Sequence, residues 1–173
     1  VGSGGLVVMN QQTCMVQIAR FFMQFTQNES CGKCVVCREG TRQMLNLLDD
    51  IIQGEATEDT LALLEELAHT VKIGSLCGLG KTAPNPILST LRYFRKEYED
   101  HVLRHHCPAG VCKAFLSYKV VSSLCKSCGL CAKKCPVNAI SGEKGVPYVI
   151  DGERCIQCGA CMDACKFHAV VLG

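Results

Sequence analysis

CKSCGLCAKKCP (Cys125–Pro136) places four cysteines in eleven residues, with a proline after the fourth. CIQCGACMDACK (Cys155–Lys166) repeats this spacing, so the chain contains an internal repeat. Such spacing lets three thiolates of one block bind one iron–sulfur cube while the fourth binds a second cube. We therefore predict two [4Fe–4S] clusters with crossed ligands. The first takes Cys125, Cys128, Cys131 and Cys165, and the second takes Cys155, Cys158, Cys161 and Cys135.

Disulfide bonds and zinc are the alternatives for these cysteines. The chain of 173 residues has 15 cysteines, an odd number, and its repeated C-x-x-C pairs argue against a disulfide framework. Structural zinc needs only paired C-x-x-C motifs, without a third cysteine two residues further on. The spacing therefore favours iron–sulfur clusters. A non-redox zinc module, in which this region is an interaction platform, is the alternative of another functional class.

Residues 120–173 are predicted to form a small α+β unit. Short strands are expected at Val146–Ile150 and Ala169–Leu172, and one helical turn in each cysteine block, at Leu130–Lys134 and Ala160–Ala164. On the two cysteine blocks, this region resembles a bacterial-type ferredoxin with two [4Fe–4S] clusters. Lys166 follows Cys165 where that family has proline, so the turn after this ligand is less constrained.

Upstream of this unit, apolar periodicity predicts four helices joined by short loops, and hence a four-helix bundle. The helices are expected from Thr13 to Asn28, Arg38 to Gln53, Thr57 to Gly74, and Pro86 to His105. In the first helix, four apolar side chains at helical spacing are expected on one face, namely Ile18, Phe21, Phe22 and Phe25. The predicted fold class is therefore α followed by α+β, a bundle and then a ferredoxin-like domain.

A third cysteine triplet, Cys31, Cys34 and Cys37, has the same spacing as the two blocks but no fourth cysteine nearby. Two helices that pack as an antiparallel pair between Arg38 and Lys72 would return the chain to its start. Cys77 then becomes the fourth ligand of a [4Fe–4S] cluster in the bundle. The alternative is that Cys77 is a buried thiol and the triplet binds zinc or a three-iron cluster.

Three stretches carry a more specific resemblance: GSGGLVVM (2–9), ESCGKCVVCREGT (29–41) and SLCGLGKTAPNPILSTLRYF (75–94). From residue 1 to about residue 112 the chain resembles the C-terminal part of the flavin-bearing, NADH-oxidising subunit of respiratory complex I. Continuation into a ferredoxin module resembles the beta subunit of NAD(P)-linked, electron-bifurcating [FeFe]-hydrogenases, and formate dehydrogenase subunits share the arrangement. Val35-Val36 stands where the family usually has Thr-Pro.

The resemblance implies a role in electron transfer. Residues 1–12 would end an upstream flavoprotein region, 13–106 form the bundle, 107–119 a linker, and 120–173 the ferredoxin-like domain. By this resemblance FMN and NAD(P) would bind upstream, and GSGG at 2–5 would not supply their site, since it lacks the G-x-G-x-x-G pattern. Three [4Fe–4S] clusters would pass single electrons, and no residue here would be catalytic. The implied partners are a hydrogenase catalytic subunit, a small [2Fe–2S] subunit and a soluble ferredoxin, or a formate dehydrogenase complex.

The stretch HVLRHHCPAGVCK (101–113) belongs to none of the three cluster motifs. His101, Cys107 and Cys112 offer the nitrogen and sulfur ligands of a structural zinc, with His105, His106 or a group from elsewhere as the fourth. The alternative is two unligated thiols beside a solvated helix end. Cys14 fits no ligand motif and is predicted to be a buried core thiol.

Composition excludes several classes of protein. Lys and Arg number 18 and Asp and Glu 16, which gives no basic field for nucleic acid. The lysines that flank the first ferredoxin block are expected to form a solvated face or to guide an acidic redox partner; they are Lys113, Lys119, Lys126, Lys133 and Lys134. No apolar run is long enough to span a membrane, and no signal peptide is recognisable. We expect a cytoplasmic segment of a longer polypeptide.

Overall fold

The computed structural model describes residues 6–172. The GSGG stretch at 2–5 therefore lies outside the described residues, and so do residues 1–5 of the predicted end of the flavoprotein region at 1–12. The chain forms two compact units, and the division between them falls between Phe115 and Leu116. Among the described residues, no helix combines the length and the apolarity that a bilayer crossing requires.

The first unit is helical. Its helices are α1 (Met15–Glu29), α2 (Val35–Gln53), α3 (Thr60–Gly74), α4 (Gly78–Thr82) and α5 (Asn85–Arg104), and a 3-10 turn follows at Lys113–Phe115. Gly54 ends α2 in the left-handed conformation with φ of 77°, as its position predicts. α1 begins at Met15, after Cys14, rather than at Thr13, and α3 begins at Thr60 rather than at Thr57.

The four long helices of this unit pack around one apolar core. α1 packs against α2 and α5, and α3 also packs against both of these helices. The fully buried side chains include Met23, Met44, Leu48, Leu64 and Ile87. Each contributes about 2 kcal/mol to folding through burial of apolar surface. Arg20 of α1 also forms an ion pair with Asp49 of α2 at the edge of this core.

The face of α1 that enters the core is not the one predicted from the aromatic residues. Phe21 and Phe25 are 64% and 59% exposed, whereas Met15, Val16, Ala19 and Met23 are buried. The helix has apolar residues on two faces, so periodicity alone could not select between them. The small side chains of Val16 and Ala19 allow close approach to neighbouring helices, which the bulky phenylalanines do not.

The second unit contains four short strands and two helical turns. They are β1 (Tyr118–Val120), α6 (Leu130–Lys134), β2 (Ile140–Ser141), β3 (Val149–Ile150), α7 (Ala160–Ala164) and β4 (Val170–Leu172). β1 pairs with β4 and β2 with β3, both antiparallel. Both helical turns have the predicted bounds, while the predicted strand at Val146–Ile150 is reduced to its last two residues.

The two halves of this unit repeat with an offset of about 30 residues, as from Cys125 to Cys155. Backbone conformation follows the repeat: φ is positive at Ser127 and Gln157, at Gly129 and Gly159, and at Asn138 and His168. Hydrogen bonds follow it too. The Val121 N–H donates to the Ala169 carbonyl at 2.7 Å, and the Asp151 N–H donates to the Ala139 carbonyl at 2.8 Å. The unit is therefore pseudo-symmetric, and each sheet takes one strand from each half.

Candidate metal centres

Two cavities in the second unit gather its eight cysteines into two sets. The first cavity is lined by Cys125, Cys128, Cys131 and Cys165. The second cavity is lined by Cys135, Cys155, Cys158 and Cys161. Each set combines three cysteines of one block with the fourth cysteine of the other, which is the arrangement that the crossed ligation requires.

The fourth cysteine of each block is held by the backbone that follows it. The Ala139 N–H donates to Cys135 Sγ at 3.2 Å, and the Ala169 N–H donates to Cys165 Sγ at 3.3 Å. Burial raises the pKa of Cys165, but hydrogen bonds from the backbone N–H groups that follow, Ala169 foremost, outweigh it and lower the pKa. These N–H groups favour the thiolate, which is the form that binds metal.

A tyrosine and a glycine complete each cavity. Tyr148 lines the first cavity and Tyr118 the second. A Cβ atom on Gly129 would lie 2.9 Å from the Tyr148 hydroxyl, and one on Gly159 would lie 3.1 Å from the Tyr118 hydroxyl. Both glycines also have positive φ, so a larger residue would be strained and crowded there.

The cysteines of the third motif lie at helix starts in the first unit. Cys34 precedes α2, Cys37 is buried in its first turn, and Cys77 precedes α4. Hydrogen bonds from backbone N–H groups, that of Gly80 first and then that of Leu79, lower the pKa of the exposed Cys77 thiol. Cys31 is exposed in the loop before α2.

Two glycines, Gly74 and Gly80, show that the segment around Cys77 lies against the start of α2. A Cβ atom on Gly80 would lie 3.3 Å from Cys37 Sγ, and one on Gly74 would lie 3.1 Å from a methyl group of Val36. The antiparallel α2 and α3 therefore return the chain to its cysteine triplet. Gly80, three residues after Cys77, thus lies beside Cys37, although 40 residues separate the two cysteines in the sequence.

A different site lies in the core of the helical unit. Cys14, His101, Cys107 and Cys112 are all buried, and their four ligand atoms lie within 4.8 Å of one another. His101 Nε2 is 3.4 Å from both Cys14 Sγ and Cys112 Sγ, and these two sulfurs are 3.7 Å apart. One imidazole and three thiols thus converge on a single point.

These separations match those around a tetrahedral zinc ion. With Zn–S of about 2.3 Å and Zn–N of about 2.05 Å, tetrahedral angles require S···S of about 3.8 Å and S···N of about 3.6 Å. The observed 3.7 Å and 3.4 Å agree with these values within about 0.2 Å, the tolerance that metal-site distances allow. The donor set Cys3His is also a common structural zinc set.

Neighbouring groups orient the donors. His101 Nδ1 donates to the Glu97 carbonyl at 2.7 Å, and this bond turns Nε2 toward the sulfurs. The Gln17 side-chain amide donates to Cys112 Sγ at 3.4 Å. The Met15 N–H donates to the Glu97 carboxylate at 2.9 Å, which ties the start of α1, beside Cys14, to α5.

Protons are unevenly shared among Cys14, His101 and Cys112. A hydrogen bond from Cys112 is the largest influence on Cys14 and, with His101, lowers the pKa of Cys14 to about 4 despite burial. The same hydrogen bond, together with burial, raises the pKa of Cys112. Burial opposes protonation of His101, but its contact with Cys14 raises the His101 pKa to about 9. The site thus already pairs negative sulfur with positive charge.

Cys14 was the one residue of this group that the sequence did not assign to it. The sequence suggested His105, His106 or a group from elsewhere as the fourth ligand. Both histidines are exposed and outside the converging group, in which Cys14 is the group from elsewhere. Cys14 is indeed buried, as predicted, but it lies beside His101 rather than in a purely apolar core. No local motif marks it, because 87 residues separate it from His101.

Two family models match the chain, and together they define its class. Residues 17–101 match the NADH-ubiquinone oxidoreductase-F iron–sulfur binding region, and residues 124–170 match the 4Fe-4S dicluster domain. The chain therefore contains two iron–sulfur binding regions in tandem. Both regions coincide with the cysteine sets described above, and the zinc-like group includes residues outside either match.

Several curated proteins and solved structures resemble the chain. The NADP-reducing hydrogenase subunit HndC of Solidesulfovibrio fructosivorans is 50% identical over 171 residues, which are 99% of this chain and 35% of that protein. An NADH-quinone oxidoreductase subunit of Streptomyces coelicolor is 39% identical over 66% of this chain and 25% of that protein. The chain thus spans about a third or less of these relatives.

The crystal structure of an NAD+-reducing [NiFe]-hydrogenase in the air-oxidized state superposes with a TM-score of 0.53 and 32% identity. The superposition covers 55% of this chain and 17% of the hydrogenase chain. The chain is thus homologous to subunits of hydrogenases and of NADH-quinone oxidoreductases, and the similarity to HndC extends along nearly its whole length.

Proposed function

We propose that this chain is the electron-transfer segment of an NAD(P)-linked hydrogenase, with three [4Fe–4S] clusters. The observation that carries the proposal is the division of eight cysteines into two crossed sets around two cavities. A non-redox zinc platform would not require this crossing. Identity of 50% to a protein of an NADP-reducing hydrogenase supports a hydrogenase rather than a formate dehydrogenase.

The first unit is proposed to be a four-helix bundle that holds one cube through Cys31, Cys34, Cys37 and Cys77. The proximity of the Cys77 turn to Cys37 supports this assignment. The second unit would hold two cubes, the first at Cys125, Cys128, Cys131 and Cys165 and the second at Cys155, Cys158, Cys161 and Cys135. When bound, each cube accepts and releases one electron. The protein supplies thiolates, backbone N–H groups and surroundings that set each reduction potential.

The remaining three cysteines are proposed to bind one structural zinc together with His101. The tetrahedral separations among Cys14, His101 and Cys112 support this proposal. All four coordination positions would be filled by protein, which is typical of structural rather than catalytic zinc. The ion would join the start of α1, the end of α5 and the segment that leaves the helical unit.

The complete protein is proposed to bind FMN and NAD(P) upstream of this chain, and to assemble with a hydrogenase catalytic subunit and a small [2Fe–2S] subunit in the cytoplasm. Electron bifurcation stays a prediction of the family resemblance. Metal analysis of the anaerobically purified protein tests the proposal for this segment. We expect about twelve irons and about one zinc for residues 6–172, and a broad charge-transfer absorption. Colourless protein that contains only zinc would refute the electron-transfer role.

Replacing Cys77 with serine is expected to remove or weaken only the cube of the helical unit. The partners of Cys77 all precede the second unit, so iron should fall by about four per chain. Electron paramagnetic resonance of the reduced variant should still show two interacting clusters. The matched control is Ser75→Ala, two residues earlier, which should retain all the iron. Loss of all three clusters from folded protein would contradict this partition.

A further inference from the structure

A serine hydroxyl lies beside one cysteine sulfur of the helical unit. Ser30 Oγ is 3.6 Å from Cys37 Sγ, and Cys37 is buried in the first turn of α2. The distance suits a hydrogen bond to sulfur, because sulfur is a larger acceptor atom than oxygen. Ser30 is itself half-buried, so that water competes less for its hydroxyl than it would at an exposed position.

A second contact of Ser30 fixes the direction of this hydrogen bond. The Gly32 N–H donates to Ser30 Oγ at 3.3 Å, so the serine oxygen is the acceptor in that contact. A hydroxyl has one proton of its own to donate. A cysteine that binds metal does so as a thiolate, without a proton. In the metal-bound state Ser30 therefore donates and Cys37 Sγ accepts.

The backbone on both sides of the hydroxyl is held in place. Ser30 directly follows α1, and its N–H donates to the Gln27 carbonyl at 3.4 Å. Two residues later Gly32, with φ of 73°, offers its carbonyl to the guanidinium of Arg38 in α2. The turn is thus tied to α1 at one end and to α2 at the other. The Ser30 hydroxyl is positioned before any metal binds.

A side-chain donor distinguishes this site from the two cavities of the second unit. There the Ala139 and Ala169 N–H groups donate to the fourth cysteine of each block, at 3.2 Å and 3.3 Å. These bonds are equivalent in the two halves and would form with almost any residue at either position. Among the described residues, Ser30 is the one side chain that bonds to any of the twelve proposed cluster ligands. The hydroxyl is therefore specific to the helical unit.

We infer that Ser30 sets the reduction potential of the cube proposed for the helical unit, and that its hydroxyl raises this potential. The inference rests on the proposed function, because it requires that cube to be present. When the cube gains one electron, the negative charge on its sulfur ligands increases and the hydrogen bond to Cys37 Sγ becomes stronger. The reduced cube is thus stabilised more than the oxidised one. One electron is added, Ser30 keeps its proton, and no bond is broken.

Variants of Ser30 that differ in the hydroxyl test the inference. Ser30→Thr keeps the hydroxyl, whereas Ser30→Val has nearly the shape of threonine without it. Each is made in the full-length protein, and reduction of the cube is followed by electron paramagnetic resonance during a potentiometric titration. At the wild-type midpoint potential, we expect the ratio of reduced to oxidised cube to fall about fivefold in Ser30→Val. Ser30→Thr should match wild type.

Two further variants complete this series. Ser30→Ala should show the same fall as Ser30→Val, and it serves in its place if the added methyl groups disturb the cube. Ser75→Ala is the matched control, because it removes a neighbouring hydroxyl: a Cβ atom on Gly80 would lie 2.6 Å from Ser75 Oγ and 3.3 Å from Cys37 Sγ. The Ser75 hydroxyl donates to the Val71 carbonyl at 2.6 Å, so its loss should leave the midpoint potential unchanged.

Electron–nuclear double resonance supplies a readout that a change of packing alone would not move. The spectrum of the reduced wild-type cube should contain a coupling to the Ser30 hydroxyl proton, which exchanges in deuterated water. This coupling should be absent from Ser30→Val and present in Ser30→Thr. The potentials of the two interacting cubes in the second unit should be the same in all these variants.

The outcomes separate this inference from the proposed function. If Cys77→Ser contains as much iron as wild type, the proposed cube of the helical unit is wrong, and the inference is wrong with it. If that cube is present but Ser30→Val titrates as wild type does, only the inference is wrong. A higher potential in Ser30→Val, or an equal fall in Ser30→Thr, would likewise refute the role of the hydroxyl.

Discussion

Replacing Cys165 with alanine is expected to remove the cube of the first repeat, although Cys165 belongs to the second. The structure places Cys165 at the cavity of Cys125, Cys128 and Cys131, so the first cube loses its fourth ligand. About four irons should be lost per chain, and the magnetic interaction between the two cubes should disappear from the spectrum of the reduced protein. The cube of the helical unit should be unaffected.

Double variants identify which cube is lost. Cys165→Ala/Cys125→Ala should lose no more iron than Cys165→Ala alone, because both ligands serve one cube. Cys165→Ala/Cys155→Ala should lose both cubes of the second unit, about eight irons. Such non-additivity is diagnostic of groups that act on one centre. The reverse pattern would show that each repeat binds its own cube and would refute the crossed assignment.

Replacing Cys14 with serine is expected to abolish zinc binding and to destabilise the helical unit. The ion would join α1, α5 and the Cys107–Cys112 segment, so its loss removes a link between elements far apart in sequence. A ligand present at about a thousandfold excess over its Kd contributes about 4 kcal/mol to stability. For a unit of this size that corresponds to a fall in Tm of at least about 10 °C, measurable by far-UV circular dichroism under anaerobic conditions.

Two further variants serve as controls for this experiment. His106→Ala removes an exposed ring that the sequence suggested as a ligand, and it should retain zinc and the wild-type Tm. Cys107→Ser/Cys112→Ser should lose the zinc as Cys14→Ser does. If Cys14→Ser keeps the wild-type zinc content while His106→Ala loses it, the fourth ligand is a histidine and the geometric assignment is wrong.

The features that the sequence predicted best are those set by local spacing. The bounds of α6 and α7 were predicted without error, because the cysteine ligands restrict the chain within a few residues. The approach of the turn after Cys77 to Cys37 agrees with a topological argument, since an antiparallel helix pair with short loops returns the chain to its starting point. The crossed ligand sets stay a prediction from spacing, which the lining of the two cavities supports.

Features that depend on tertiary packing were not predictable in this way. Cys14 joins His101 only because α1 and α5 pack together, and no motif near Cys14 signals it. The buried face of α1 was predicted wrongly, because Phe21 and Phe25 are more hydrophobic than the smaller residues that enter the core. Periodicity identifies an apolar face, but shape complementarity to neighbouring helices decides which face is buried.

The pairing of β1 with β4 has a consequence for how the protein is made. β1 begins at Tyr118 and its partner β4 ends at Leu172. Nearly the whole sequence of the second unit therefore separates the two strands of this small sheet. During translation β1 stays unpaired until residues 170–172 have emerged from the ribosome. Neither half can close its own sheet, because β2 likewise depends on β3 from the other half. The second unit therefore completes its strand pairing only when nearly all of it has been synthesised.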